Sequence, residues 1–418
     1  MKRFLLYCSA IILFLILLIP FLAVSLSPIN IDNSAKQVGN AHLINPLLTQ
    51  TRDMLIERFD AHELIVQQEQ ANSFAGFLTR SHRPLAANID FHDDELNISF
   101  SYQLNGQFYL NLSMWVESAN GIQFKGIKIG QLYLPANTGL NLAQYIVDAY
   151  TGSNIAKQTI ASIDSVDIKS DALKVSLFPL DNALKELKNI DRGRDDEKRS
   201  KILKIVHYLK LLATLPSDTQ RSLNEYIYTA FHEANIRSNN NPDLAVEENQ
   251  AAILALAIFA GDSRFSAVVG GIHEELSSIP TAALKPALRG RTDLSAHFVF
   301  SAAIKLLSEK DFSFAVGEFK ELMDRGPGGS GYSFADLAAD MAGVHFAYLA
   351  SEPKAALALQ ENLIQLNDES AFMPTIDGLK EGLSKKVFVK QFDRVDSPPY
   401  RAKIAEIRSR VDALPINY

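Results

Sequence analysis

Cysteine is almost absent from this chain of 418 residues: Cys8 is the only one. A single thiol excludes intramolecular disulfides and zinc sites built from several thiolates. Basic side chains are outnumbered, 41 Lys and Arg against 48 Asp and Glu, for a net charge of −7. That balance excludes a general nucleic-acid binder. Glycine and proline are sparse, at 21 and 16, which leans the chain towards helix and away from collagen-like or low-complexity structure. Beyond the N-terminus no apolar run is long enough to cross a bilayer, so a many-pass membrane protein is excluded. What remains is 47% hydrophobic and 21% charged, ordinary for globular protein. At ~150 residues per domain the length predicts two to three domains.

Lys2 and Arg3 precede an uncharged stretch from Phe4 to Ile31, strongly apolar from Phe4 to Val24. As a helix rising ~1.5 Å per residue, that run spans a bilayer core. A secretory h-region is shorter, ~7–15 residues. Residues 1–27 therefore read as a signal-anchor. The alternative is a cleaved signal peptide, because Pro20 with the small pair Ala23 and Ser25 resembles a cleavage site. Either way the positive end stays cytoplasmic and the rest is exported. The expectation is one pass through an inner membrane with the bulk of the chain periplasmic. Cys8 lies near the start of the apolar run rather than after it, which argues against lipoprotein processing. An acidic exported part is not an electrostatic membrane binder, so membrane contact is expected through the N-terminal helix.

Residues 28–74 read as a tether followed by a helix, since apolar residues between Pro46 and Gln70 recur about every three and four positions. From Asn88 the period becomes two. Leu96, Ile98, Phe100, Tyr102 and Leu104 alternate with polar residues, Asn105-Gly106 follows, and Phe108, Leu110, Leu112, Met114 and Val116 continue. Asn-Gly between two alternating runs predicts a hairpin with a type I′ turn. A second Asn120-Gly121 leads into Ile122–Leu134, giving a three-strand antiparallel meander. Leu140–Tyr150 reads as an amphipathic helix and Val166–Phe178 as one or two further strands. Residues 75–182 thus predict an α+β module, a helix laid on an antiparallel sheet. Residues 183–418 predict a larger helical domain. In it Ala251–Ala260 is a buried helix, and segments at 294–308, 312–324 and 334–350 are helical. The fold class is α+β, with an N-terminal membrane helix in front.

The chemical motifs mostly fail. His232-Glu233 and His273-Glu274 lack the second histidine of H-E-x-x-H, which falls at Ile236 and Ser277. The loop from Gly326 to Ser333 matches G-x-G-x-x-G and nearly matches a P-loop, with Tyr332 in place of the lysine. Both motifs need a buried strand in front, and GEFKELMDR is charged and helical. No nucleotide is therefore expected. Glycine amides beside a helix N-terminus can still hold an anion, which makes Ser330, Gly331 and Ser333 anion-binding candidates. Ser351-Glu352-Pro353-Lys354 fits S-x-x-K, but no K-T-G exists.

One constellation is left. His297 and Ser301 are four apart on one helix, Glu321 and Asp324 three apart on the next, and Asp336 and Asp340 four apart on the third. Ser333 and Asp336 also form an S-x-x-D capping box. Asp340 has small or apolar neighbours, Leu337, Ala338, Ala339 and Met341, and needs a partner there. Short connections make the three helices antiparallel neighbours, so His297, Glu321 and Asp340 are expected to meet. Ser301 and Lys320 are expected in the same network. No metal and no cofactor is assigned.

The stretches RTDLSAHFVFSAAIKLL, GEFKELMD and GGSGYSFADLAADMAG resemble a family of uncharacterised exported bacterial envelope proteins. Residues 291–350 are similar to a small periplasmic lipoprotein domain and, more distantly, to the VanZ-like membrane family. The resemblance runs through His297, Ser301, Lys320, Glu321, Asp324, Ser330, Gly331, Ser333, Asp336, Asp340 and Gly343. It implies a bacterial envelope location and supplies no reaction. The first expectation is a non-catalytic, inner-membrane-anchored protein that binds or scaffolds in envelope maintenance, with an envelope protein or the cell wall as partner. The alternative is a hydrolase acting on a cell-wall or envelope substrate through His297 and the carboxylates of Glu321, Asp324, Asp336 and Asp340.

Overall fold

The computed structural model describes residues 21–29, 33–57, 59–82, 84–151, 153–182, 195–216, 218–261, 265–266, 279, 281–307 and 310–417. The membrane helix expected over Phe4–Val24 lies outside them up to position 20. Helices and antiparallel strands both occur, as the α+β expectation requires. The chain divides into two compact units, Met1–Arg192 and Gly193–Tyr418.

All the strands described lie in the first unit. They are β1 (Val24–Ser25), β2 (His62–Gln67), β3 (Leu85–His92), β4 (Glu95–Asn105), β5 (Phe108–Glu117), β6 (Ala119–Asn120), β7 (Gln123–Ile129), β8 (Leu132–Pro135), β9 (Ile163–Ile168) and β10 (Ala172–Leu177). One sheet runs β3-β4-β5-β7-β8, with β1 added against β5; the other runs β2-β10-β9-β6. Phe91, Leu96, Val116, Val166 and Ile168 form the buried core, with Ala71 of the covering helix α3 (Gln68–Ser81). An edge strand leaves backbone groups unpaired, and helix side chains satisfy those of β3. The Gln68 amide accepts from the Phe91 N–H at 2.6 Å and donates to the Ile89 carbonyl at 2.7 Å. Thr79 Oγ1 accepts from the Ala87 N–H at 3.0 Å.

Four expectations are corrected here. His62–Gln67 is a strand, not helix: it pairs with β10 from Gln67↔Ala172 to His62↔Leu177. Its Leu-Ile-Val centre suits a pleated surface, and the partner is too distant in sequence for local periodicity to reveal. The expected tether is partly packed structure. In α1 (Ser34–Gln37) the buried Gln37 donates to the Ala87 carbonyl at 3.0 Å, and α2 (Ile44–Ile56) follows a 3₁₀ turn. Ile122–Leu134 is two strands, broken where Gly130 takes a φ of +57°. The β4–β5 hairpin forms as expected, but Asn105 pairs with Phe108 and only Gly106, at φ +58°, has positive φ in the turn. Positive φ at the first central residue alone is the type II′ pattern rather than I′. The amphipathic helix expected at Leu140–Tyr150 is α4 (Ala136–Thr151), followed by α5 (Ile155–Ala161).

The second unit is helical: α6 (Asp195–Leu212), α7 (Leu223–Ser238), α8 (Pro242–Leu256), α9 (Thr292–Leu307), α10 (Lys310–Met323), α11 (Phe334–Ser351), α12 (Ala356–Leu366), α13 (Lys385–Phe392) and α14 (Pro398–Asp412). Asn241 caps α8, with Pro242 at its first position, where a missing N–H costs nothing. A π-helical turn, Ala257–Gly261, extends α8. Pro242–Gly261 is long and apolar enough to cross a membrane by composition, but 78% of it is buried within the protein. It carries Glu248, which accepts from Tyr208 at 2.8 Å and pairs with Arg237 at 2.7 Å and Lys204 at 2.9 Å. It is a core helix. Two aromatic clusters include residues of α11: Phe231, Phe298, Phe346 and Phe372 in one, and Tyr332, Phe334, Phe388, Phe392 and Tyr400 in the other.

Candidate functional site

Helices α9 and α11 approach closely because Gly343 has no side chain; a Cβ there would strike the Phe298 carbonyl. Gly317 of α10 plays the same part towards α11, since a Cβ there would lie 2.5 Å from Asp340 Oδ2. These two glycines bring the polar faces of the three helices together. His297 Nδ1 lies 3.0 Å from Asp340 Oδ1, which also accepts from Ser301 Oγ at 2.7 Å. Lys320 Nζ is 2.9 Å from Glu321 Oε1, 3.0 Å from Asp324 Oδ2, 3.8 Å from Asp336 Oδ2 and 3.1 Å from His297 Nε2. The His297, Ser301, Lys320, Glu321, Asp324, Asp336 and Asp340 side chains expected to share a network therefore meet. Glu321, Asp336 and Asp340 are buried, while Lys320 is 38% exposed and connects the cluster with solvent.

The glycine loop serves this cluster instead of presenting its amides outwards. Gly331 N–H donates to the Asp324 carbonyl at 2.8 Å, and Ser330 Oγ donates to the Asp324 carboxylate at 3.1 Å. Ser333 N–H donates to Glu321 Oε2 at 2.8 Å, and Ser333 Oγ caps α11 by accepting from the Asp336 N–H at 3.0 Å. The Ser333 amide at this helix N-terminus is thus taken by the chain's own Glu321, and the Gly331 amide by Asp324. Only half of the expected capping box forms. Glu321 takes the Ser333 amide, leaving Asp336 to pair with Arg291 at 3.2 Å.

Four carboxylates face one ammonium and one imidazole, with Arg291 at the rim, and this excess of negative charge sets the protonation. Burial alone would lower the His297 pKa, but the Asp340 carboxylate, assisted by Asp336, raises it to about 9 against the Lys320 charge. Burial raises Glu321 to about 7; Lys320 and the Ser333 amide oppose the rise and Asp336 assists it. Burial also raises Asp336, with His297 and Lys320 opposing. Lys320 moves up despite burial, because Glu321 and Asp324 hold its charge. The imidazole has two arrangements. As imidazolium it donates through Nδ1 to Asp340 and faces Asp336 Oδ2 at 3.5 Å through Nε2. As the neutral Nδ1–H tautomer it accepts from Lys320. The surplus of carboxylates favours the first at neutral pH.

One ligand-type atom each from His297, Glu321 and Asp336 lie within 4.8 Å of one another, a spacing a metal ion could use. The Lys320 ammonium is within 3.8 Å of an atom of all three. A cation of the chain itself therefore already lies against that donor set.

Sequence reasoning missed several members. Arg291 links Asp336 to Glu381, and Glu381 accepts from Ser333 Oγ at 3.2 Å. Beneath the cluster the Tyr400 hydroxyl donates to buried Glu318 at 2.5 Å and lies 2.9 Å from the Tyr332 hydroxyl. Burial lowers Arg325 to about 10, and its guanidinium stacks 4.7 Å over Phe388. Glu318 and Arg325 flank the Lys320-Glu321 pair on α10 and its C-terminal turn, and their polarity was the available signal. Glu381 and Tyr400 come from the tail, where no local pattern marks them. Comparison of the chain with protein-family models, curated proteins and solved structures finds no match.

Proposed function

We propose that this chain is a non-catalytic protein of the bacterial envelope, anchored in the inner membrane by its N-terminal run. Its helical unit would face the periplasm, and its role would be binding or scaffolding in envelope maintenance. The observation that carries the non-catalytic reading is that the cluster's donors are spent on its own carboxylates, with Asp340 Oδ2 left without a hydrogen bond. Ser301 and His297 are spent on Asp340, the Ser333 amide on Glu321, and Lys320 on Glu321 and Asp324. Such a network locks α9, α10 and α11 together. The second reading is a hydrolase of a cell-wall or envelope substrate. It is favoured by Glu321 near neutrality beside an imidazole–carboxylate pair, an arrangement suited to acid–base work.

A deletion strain under envelope stress, complemented with Glu321→Gln or Asp340→Asn, separates the two. On the scaffolding reading, loss of rescue follows loss of folded protein in each variant. Normal amounts of folded variant without any rescue would contradict it and favour the hydrolase. For topology, a reporter active only in the periplasm and fused after Tyr418 is expected to be active; a stable but silent fusion would contradict export.

A further inference from the structure

The N-terminal apolar run does not enter the first unit through a slack tether. Val24 and Ser25 pair with Leu110 and Tyr109 of β5. The Leu22 carbonyl accepts from the Gln131 N–H at 2.8 Å, and the Ser27 carbonyl accepts from the Asn111 side chain at 3.0 Å. Gly130 lies so close that a Cβ would strike the Leu22 and Ala23 carbonyls. The run is thus strapped to one end of the sheet, the end that carries the β4–β5 hairpin tip and the β7–β8 turn.

The strands and the strap at that end expose apolar side chains and carry no charged residue of their own; His82, stacked on Tyr102 with 5.6 Å between ring centres, and Lys128 of β7 border it. Phe21, Leu26, Leu104, Phe108 and Leu110 are between 38% and 76% exposed. Side chains alternate along a strand, so the Val24↔Leu110 pairing places Val24, Leu26, Phe108 and Leu110 on one face. From Leu96 to Val116 there is no Asp, Glu, Lys, Arg or His, and the segments Phe21–Ile29 and Ile129–Val147 have none either. A surface facing only water has no reason to exclude charge so thoroughly, whereas charge is costly against hydrocarbon. Apolar area buried in a bilayer is favourable at roughly 25 cal/mol per Å².

We propose that this end of the first unit, the β4–β5 hairpin tip with the adjoining strap, is seated in the lipid interface of the membrane that holds the N-terminal run. The inference rests on that run being membrane-inserted. The strap leaves no free chain between the run and the sheet, so insertion brings Phe108 and Leu110 to the bilayer surface. Binding here is apolar, which agrees with an acidic chain that has no electrostatic attraction for anionic lipid.

The test uses the full chain with Cys8→Ser, reconstituted in phosphatidylethanolamine–phosphatidylglycerol vesicles. A polarity-sensitive fluorophore is attached at Phe108→Cys or, as control, at His92→Cys. His92, the last residue of β3, is exposed and pairs with Glu95 at the opposite end of β4, about 30 Å away along that strand at ~3.3 Å per residue. Flotation of the vesicles first reports insertion of the run. The label at 108 is expected to shift to the blue and to lose its fluorescence to doxyl-labelled lipid, and the label at 92 to do neither. Protein that floats with both labels in water overturns the interfacial seat and leaves the anchor standing. A blue-shifted label at 108 that doxyl lipid does not quench also overturns it, showing a protein contact such as a second copy. Protein that fails to float overturns the anchor and the seat together.

Discussion

Replacing Asp340 by alanine removes the acceptor of two buried donors, His297 Nδ1–H at 3.0 Å and Ser301 Oγ–H at 2.7 Å. Each buried donor left without a partner costs about 1–3 kcal/mol, and breaking a buried charge pair from one side costs about 3–5 kcal/mol. Two terms offset part of this: the excess negative charge falls, and the unpartnered Asp340 Oδ2 disappears. The expected net loss is about 3–4 kcal/mol. Asp340→Asn keeps an acceptor for one donor and is expected to cost about half as much. Total fluorescence is the wrong readout, because the single tryptophan, Trp115, lies on β5 in the first unit. Hydrogen exchange of the full chain, read on peptides from α9 and α11, is the direct assay. At ~1.4 kcal/mol per tenfold, Asp340→Ala should speed exchange there by about 10²–10³, with peptides from α3 as reference. Exchange within threefold of the parent in α9 and α11 would refute the claim that this carboxylate holds the helices.

Gly317→Ala should destabilise the helical unit by about 1–3 kcal/mol, because a methyl 2.5 Å from Asp340 Oδ2 forces the carboxylate away. A stabilisation of about 1 kcal/mol, the gain of an unobstructed Gly→Ala change in a helix, would show the approach to be loose; the same exchange experiment decides. Gly106→Val should lower the stability of the first unit by about 1 kcal/mol or more, since its φ of +58° disfavours a branched side chain; urea unfolding followed by Trp115 reads this, and an unchanged midpoint would contradict the turn. Stability of the helical unit should fall as pH rises. Native pKa values raised from 4.5 to about 7 for Glu321 and from 6.5 to about 9 for His297 mean that the native state binds more protons. The Glu321 contribution is complete below pH 4.5 and lost through about 7; that of His297 is complete below 6.5 and lost through about 9. Exchange rates in α9 and α11 corrected for intrinsic pH dependence, compared with His297→Gln, check the second window; equal pH dependence in the two proteins would count against it.

The cluster was legible where short connections join consecutive helices. His297, Glu321 and Asp340 belong to α9, α10 and α11, and polar residues on apolar helix faces have nowhere to go but towards each other. The β4–β5 hairpin was legible for a comparable reason, as its alternation and its Asn-Gly are local. Long-range partners were not. His62–Gln67 reads as helix until β10 is beside it, and Glu381 and Tyr400 enter the site from a tail whose helical pattern, at about 353–366 and 400–413, does not say where it packs. The glycine loop's amides look free in sequence, whereas Glu321, Asp324 and Leu383 accept three of them. Nothing local says which acceptor an amide will find.

The most direct test of the buried charge lock is the titration of His297, followed by NMR of the ¹⁵N-histidine-labelled full chain and of its Asp340→Asn variant. His297 is expected to titrate near pH 9, with the Nδ1 proton held against Asp340, and to titrate well below that in the variant. Titration close to 6.5, the ordinary histidine value, and unchanged by Asp340→Asn, would contradict it.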